Sequence, residues 1–126
     1  LLKEETLLPA IRLTQKLDIA VVGIGYPNEK SAIMATGYFK ENEIDSLINR
    51  KVAGELCMQF YDIKGDTSPY EDDNNVMDIS KLRTVPRSIG IAGGIEKLRA
   101  IRGAINGHYI NTLITDIQCA EALISE

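Results

Sequence analysis

Three segments of the chain share one grammar: DIAVVGIG (Asp18 to Gly25), SIGIAGG (Ser88 to Gly94) and INTLITD (Ile110 to Asp116). Each is a short, mostly apolar run, rich in β-branched residues, that ends in Gly or Asp. That is the pattern of parallel strands covered on both faces. Helical patterns lie between them. Ile44, Leu47 and Ile48 fall at i, i+3 and i+4 of ENEIDSLINR, and Leu98, Ile101 and Ile105 mark one stripe of IEKLRAIRGAI. Asp116 stands where it caps a helix that buries Ala120, Leu123 and Ile124. Near the start, TLLPAIRLTQKL reads as a helix with Thr6 as N-cap and Pro9 in the first turn, where its missing N–H is tolerated. ELCMQFYD (Glu55 to Asp62) alternates more and reads as a fourth strand nearer an edge. Strands alternating with helices predict an α/β domain with a mostly parallel sheet, whose ligand sites lie beyond the carboxyl ends of the strands. The glycines after AVV and IGIA therefore fall on the functional edge.

The chain has 126 residues, 44% hydrophobic and 25% charged, enough for one compact domain with a real core. It opens on Leu1 in what reads as mid-helix, so a piece of a longer protein is expected. Fourteen basic against eighteen acidic residues give a net charge of −4, with no cluster of Lys, Arg and aromatics to track a phosphate backbone. No run approaches the ~20 apolar residues of a membrane span, and the start lacks a signal peptide's pattern. The expectation is a soluble, cytoplasmic protein. Cys57 and Cys119 lie far apart among apolar residues and read as buried free thiols. His108, the single histidine, sits in INGHYI beside a turn glycine and gives a metal site or a Ser-His pair little to build on. KGDTSPYEDDNN (Lys64 to Asn75) is a polar excursion whose Glu71, Asp72 and Asp73 read as solvated surface.

Two glycine turns are the candidates for chemistry. Gly23-Ile24-Gly25-Tyr26-Pro27-Asn28 begins like a dinucleotide fingerprint, but Asn28 takes the third glycine's place and Pro27 removes a donor. From Gly90 to Lys97 there are glycines and a lysine without P-loop spacing. Two readings stay open for both: glycines that only permit a tight turn, or a small anion held where a strand ends and a helix begins. Glu96 and Lys97 likewise read either as solvation of a helix's first turn or as ligand groups.

VVGIG, then GYF (Gly37 to Phe39), then VAGELCMQFYD (Val52 to Asp62), then DISKLRTVPRSIGIAGGIEKLRAIRGAINGHYINTLITDIQCAEAL follow one another along the chain. These blocks, in this order, resemble the sugar-binding domain of SorC-type bacterial transcriptional regulators, from the opening helix to Leu123. The resemblance implies an effector domain with the general fold of glucosamine-6-phosphate deaminases, ribose-5-phosphate isomerases and CoA-transferases. It implies a domain that binds phosphorylated sugars without turning them over, and it implies no cofactor and no metal. In full-length members an N-terminal helix-turn-helix reads operator DNA, and the protein is a homo-oligomer. Residues 1–126 correspond to the C-terminal part of the effector domain, without the DNA reader, the first strands or a further phosphate turn.

Carried over by position, Lys97 of GGIEK corresponds to the family's ligand-contacting lysine, and Gly93 and Gly94 form the loop that lets it approach. Gly23 and Gly25 form the second turn of the expected site. Glu55 of AGEL falls where many members carry Asp, and it is expected to accept hydrogen bonds from sugar hydroxyls; its other reading is an ordinary charged strand residue. Met58 and Gln59 stand where members commonly have Gly then Arg, which puts the shape of the pocket floor in question. Asp62 and Asp116 match too, and strand-end turn and helix-cap roles explain both. The competing function is a sugar-phosphate isomerase or deaminase on the same fold, which needs a general base near the sugar carbons.

Overall fold

A computed structural model describes residues 5–28, 37, 39–73 and 78–125. Along the chain these form α1 (Leu8–Thr14), β1 (Ile19–Gly23), α2 (Glu41–Asn49), β2 (Gly54–Leu56), β3 (Gln59–Tyr61), β4 (Arg87–Ile91), α3 (Leu98–Asn106), β5 (Thr112–Ile114) and α4 (Ile117–Ile124). Short 3-10 turns at Ser68–Asp73, Ile79–Thr84 and Ile95–Lys97 link them. The three β-branched runs become one parallel sheet in the order β1-β4-β5, registered from Ile19 opposite Arg87 to Gly23 opposite Ile91. The α/β class expected from the sequence is the class observed. None of the described helices is long and apolar enough to cross a membrane.

Only one face of this sheet is covered among the described residues, where the sequence pattern predicted cover on both. Ala20 and Ser88 are buried on the inner face, and Gly90 beside them leaves room for Ile24 and Ile110. On the outer face Ile19, Val21, Ile91 and Ile114 are 57%, 62%, 44% and 54% exposed. The described residues form two apolar clusters. One gathers Ile24, Leu56, Tyr61, Ile101, Tyr109 and Cys119; the other gathers Phe39, Ile44, Leu47, Val52, Phe60 and Tyr70.

The segment expected to be a single strand over Glu55 to Asp62 is instead an antiparallel hairpin, with Leu56 paired to Gln59. Its two-residue turn is Cys57-Met58, at φ 51° and 67°. Hairpin turns of this kind favour Asn and Gly because both central residues are left-handed. Here the side chains supply the compensation: Cys57 packs against the first cluster and Met58 against the second. The hairpin lies on α3 at close range. A Cβ on Gly54 would stand 2.6 Å from the Ala100 Cβ and 2.6 Å from the Tyr61 hydroxyl, which donates to the Ala100 carbonyl at 2.7 Å.

Helix boundaries correct the sequence reading in detail. The first helix starts after Leu7, which offers no side-chain cap, so Thr6 is not its N-cap, while Pro9 does occupy the first turn. In α2, Ile44 and Leu47 are buried and Ile48 is exposed; in α3, Ala100, Ile101, Gly103 and Ala104 are buried while Ile105 is exposed. Asp116 caps α4 through the Cys119 N–H, but Ile124 is 84% exposed. Tyr38 of the GYF block, the side chains of Asp72 and Asp73, and Asn74 and Asn75 lie outside the described residues.

Candidate functional site

Gly23 ends β1, and two residues later Gly25 forms an isolated antiparallel bridge to Glu55 of β2. The Gly25 N–H donates to the Glu55 carbonyl at 3.0 Å, and the Glu55 N–H donates back at 2.9 Å. This bridge brings the hairpin to the carboxyl edge of the parallel sheet. The Glu55 side chain folds over Gly25 so closely that a Cβ there would collide with Oε1. Its Oε2 accepts from the Met58 N–H at 3.1 Å. Burial pushes the Glu55 carboxyl above its ordinary pKa, while the Met58 N–H and the nearby Lys97 ammonium pull it back down. An acid on the hairpin and an amine ahead of α3 thus act on each other electrostatically.

Gly93 and Gly94 lie in the turn between β4 and the 3-10 turn that carries Lys97. The Lys97 N–H donates to the Gly94 carbonyl at 3.0 Å, closing this turn. An anion held where this strand ends and the helix begins would call on the backbone N–H groups of the turn as open donors. For Gly94 the structure differs: its N–H donates to Asp116 Oδ2 at 2.6 Å, and the Cys119 thiol donates to its carbonyl at 3.3 Å. The same carboxylate accepts from the Cys119 N–H at 2.8 Å, so Asp116 fastens the glycine turn to the start of α4. Those bonds hold the Asp116 carboxyl below its ordinary pKa, first that from Cys119 and then that from Gly94.

Gly25 and Glu55 are in direct contact, and the charge of Lys97 reaches Glu55. Gly23 sits opposite Ile91 at the sheet's end, with open space where a side chain would project. Two participants escaped sequence reasoning. The Met58 N–H is one, because Cys57-Met58 carries no turn residue; the reach of Asp116 to Gly94 is the other, because a cap motif says nothing about contacts outside its helix. Asp62 has its turn role, accepting from the N–H groups of Lys64 and Asp66 at 2.9 Å each. His108 is an exposed turn residue, and both cysteines are free thiols, Cys119 buried and Cys57 half-buried.

A parallel sheet with glycine turns at its carboxyl edge, and an acid and an amine set beside them, is the α/β architecture in which ligand sites lie beyond the strand ends. Residues 1–125 match the family described as "Putative sugar-binding domain", and the chain belongs to that family. The sorbitol operon regulator of Klebsiella pneumoniae is 42% identical over 111 residues, 86% of this chain and 35% of that protein. Its full-length crystal structure agrees with a TM-score of 0.81 at 37% identity, covering 97% of this chain and 39% of that one. The deoxyribonucleoside regulator of Bacillus subtilis (strain 168) is 33% identical over 118 residues, 92% of this chain and 37% of that protein. A transcriptional regulator from Streptococcus pneumoniae TIGR4 agrees with a TM-score of 0.83 at 26% identity, covering 98% of this chain and 48% of that one. The SorC-type resemblance read from the sequence is borne out. The chain spans little more than a third of the length of the curated relatives it matches.

Proposed function

We propose that the chain is the C-terminal part of the effector domain of a bacterial transcriptional regulator, and that it senses a phosphorylated sugar. The observation that carries this reading is the placement of half-buried Glu55, bridged to Gly25, and of Lys97, just after Gly93 and Gly94, beside two glycine turns at the carboxyl edge of the sheet. An ammonium gives a phosphate a charge-assisted donor, and a carboxylate accepts from sugar hydroxyls. Gly23, Gly25, Gly93 and Gly94 keep the backbone low enough for a ligand to approach both groups. The names of the relatives, a sorbitol operon regulator and a deoxyribonucleoside regulator, support an effector derived from a sugar. In this reading operator DNA is contacted by a segment outside these 126 residues, the protein acts as a homo-oligomer in the cytoplasm, and the site binds without catalysing, with neither cofactor nor metal.

A melting-temperature screen of the complete regulator over hexose, pentose and triose phosphates, beside the same unphosphorylated sugars, tests it. A phosphorylated sugar at ~100 times its Kd is expected to add about 2.7 kcal/mol of stability, and its unphosphorylated counterpart is expected to add nothing measurable. Equal shifts with both, or none with any phosphorylated sugar, would overturn the reading.

A further inference from the structure

We propose that Asp116 is a positioning residue of the candidate site: from the start of α4 its carboxylate fixes the Gly94 peptide, and through that peptide the place of Lys97. The first observation is how the carboxylate divides its two oxygens. Capping α4 takes only Oδ1, which accepts from the Cys119 N–H at 2.8 Å. Oδ2 reaches outside its own helix and accepts from the Gly94 N–H at 2.6 Å, a short bond across 22 residues of chain. Asp78 is an ordinary cap by comparison: its carboxylate accepts from the Ser80 N–H at 3.0 Å, inside the turn that it caps.

The second observation is why Gly94 needs holding. It stands at φ 100° and ψ 131°, a conformation that glycine visits freely and can as freely leave. Both of its bonding groups are tied from the start of α4, the N–H by Asp116 and the carbonyl by the Cys119 thiol at 3.3 Å. The third observation is what hangs on that carbonyl. It also accepts from the Lys97 N–H at 3.0 Å. Lys97 is the last residue of its 3-10 turn and stands directly before Leu98, where α3 begins. The helix fixes Lys97 on its carbonyl side. On its amide side the bond to Gly94 sets φ, and the backbone angles select the direction in which a side chain leaves. If the Gly94 peptide turned, the Lys97 ammonium would swing away from Glu55, whose carboxyl its charge now reaches. Asp116 stands one step back from any ligand and acts through Gly94. The tie itself is independent of what binds, whereas its value for sensing rests on the effector function proposed above.

The test uses the complete regulator without ligand. Asp116→Asn leaves one oxygen for the cap and sets an amide NH2 against the Gly94 N–H, while Asp116→Ser keeps a cap and is too short to span to Gly94. Asp78→Asn is the control for the loss of an ordinary cap acid. In both Asp116 variants the Gly94 amide is expected to exchange at least ~10-fold faster than in the parent, and in Asp78→Asn at the parent rate. The Glu55 carboxyl, followed by NMR and identified by the loss of its signal in Glu55→Gln, is expected to titrate at higher pH in both Asp116 variants. The sign is diagnostic. Removing the Asp116 charge by itself moves a neighbouring carboxyl down, whereas withdrawing the Lys97 ammonium moves Glu55 up. Parent-like exchange at Gly94, or a Glu55 titration that stays in place or falls, would overturn the proposal. Both variants are expected to melt within a few degrees of the parent; a collapse of both would mark Asp116 as a brace of the whole fold and overturn it too. Silence of the parent toward every sugar phosphate would instead sink the effector reading, with the two ligand-free measurements still deciding the role of Asp116.

Discussion

Glu55 has its carboxylate folded between Gly25 and the Met58 N–H, and burial raises its pKa. A raised value means that the folded protein holds this proton more tightly than the unfolded chain does. The stabilisation from Glu55 is therefore complete below the unfolded value of 4.5 and is lost as pH rises through the higher folded value. Glu55→Gln keeps an acceptor for Met58 and cannot ionise. Relative to the parent it is expected to melt higher at about pH 7, with the gap closing toward about pH 4, where both side chains are neutral. Melting curves across that range check this, and a gap independent of pH would show that ionisation of Glu55 costs the fold nothing. The same variant in the ligand screen tests the proposed sensing role of Glu55, because stability gained with sensing lost marks a group held charged for function.

At the scale of elements, the hairpin and α3 meet with almost no side-chain volume between them. A methyl group at Gly54 would collide with Ala100, including its Cα at 2.9 Å, and with the Tyr61 hydroxyl. Overpacking of this kind typically costs about 1–3 kcal/mol, so Gly54→Ala is expected to lose that much in denaturant unfolding. Gly23→Ala, with open space around the new methyl, is expected to stay within about 0.5 kcal/mol and serves as the control. This contact also explains what was legible in the sequence. The parallel strands were, because their β-branched runs and terminal glycines are local signals. The buried face of α3 was read from Leu98, Ile101 and Ile105, whereas the close approach of the hairpin selects Ala100, Gly103 and Ala104, small residues that leave no hydrophobic stripe. The hairpin itself was hidden because Cys57-Met58 holds its left-handed turn through tertiary packing instead of turn chemistry. Glu55 was legible as a candidate, but its seat over Gly25 depends on a bridge across about thirty residues that no local pattern records.

For the whole molecule, the proposed reading is a site that holds a ligand without converting it. The relatives reported above are named as regulators, and a sugar isomerisation or deamination requires a base delivered to a carbon-bound proton. The Glu55 carboxylate already accepts from the Met58 N–H. Incubating the complete protein with its tightest-binding sugar phosphate is expected to return the compound unchanged by NMR; product formed at about 1 per second or faster would establish an enzyme. The close seating of the hairpin on α3 has one more result. Glu55 follows Gly54 directly, and Lys97 directly precedes Leu98, the first residue of α3, so the acid and the amine are mounted on opposite sides of one rigid contact. Their spacing is set when the chain folds, before any ligand arrives. On the proposed reading, a ligand entering between them gives up its own freedom and demands little from the protein, so its binding energy goes into contacts and not into assembling the site.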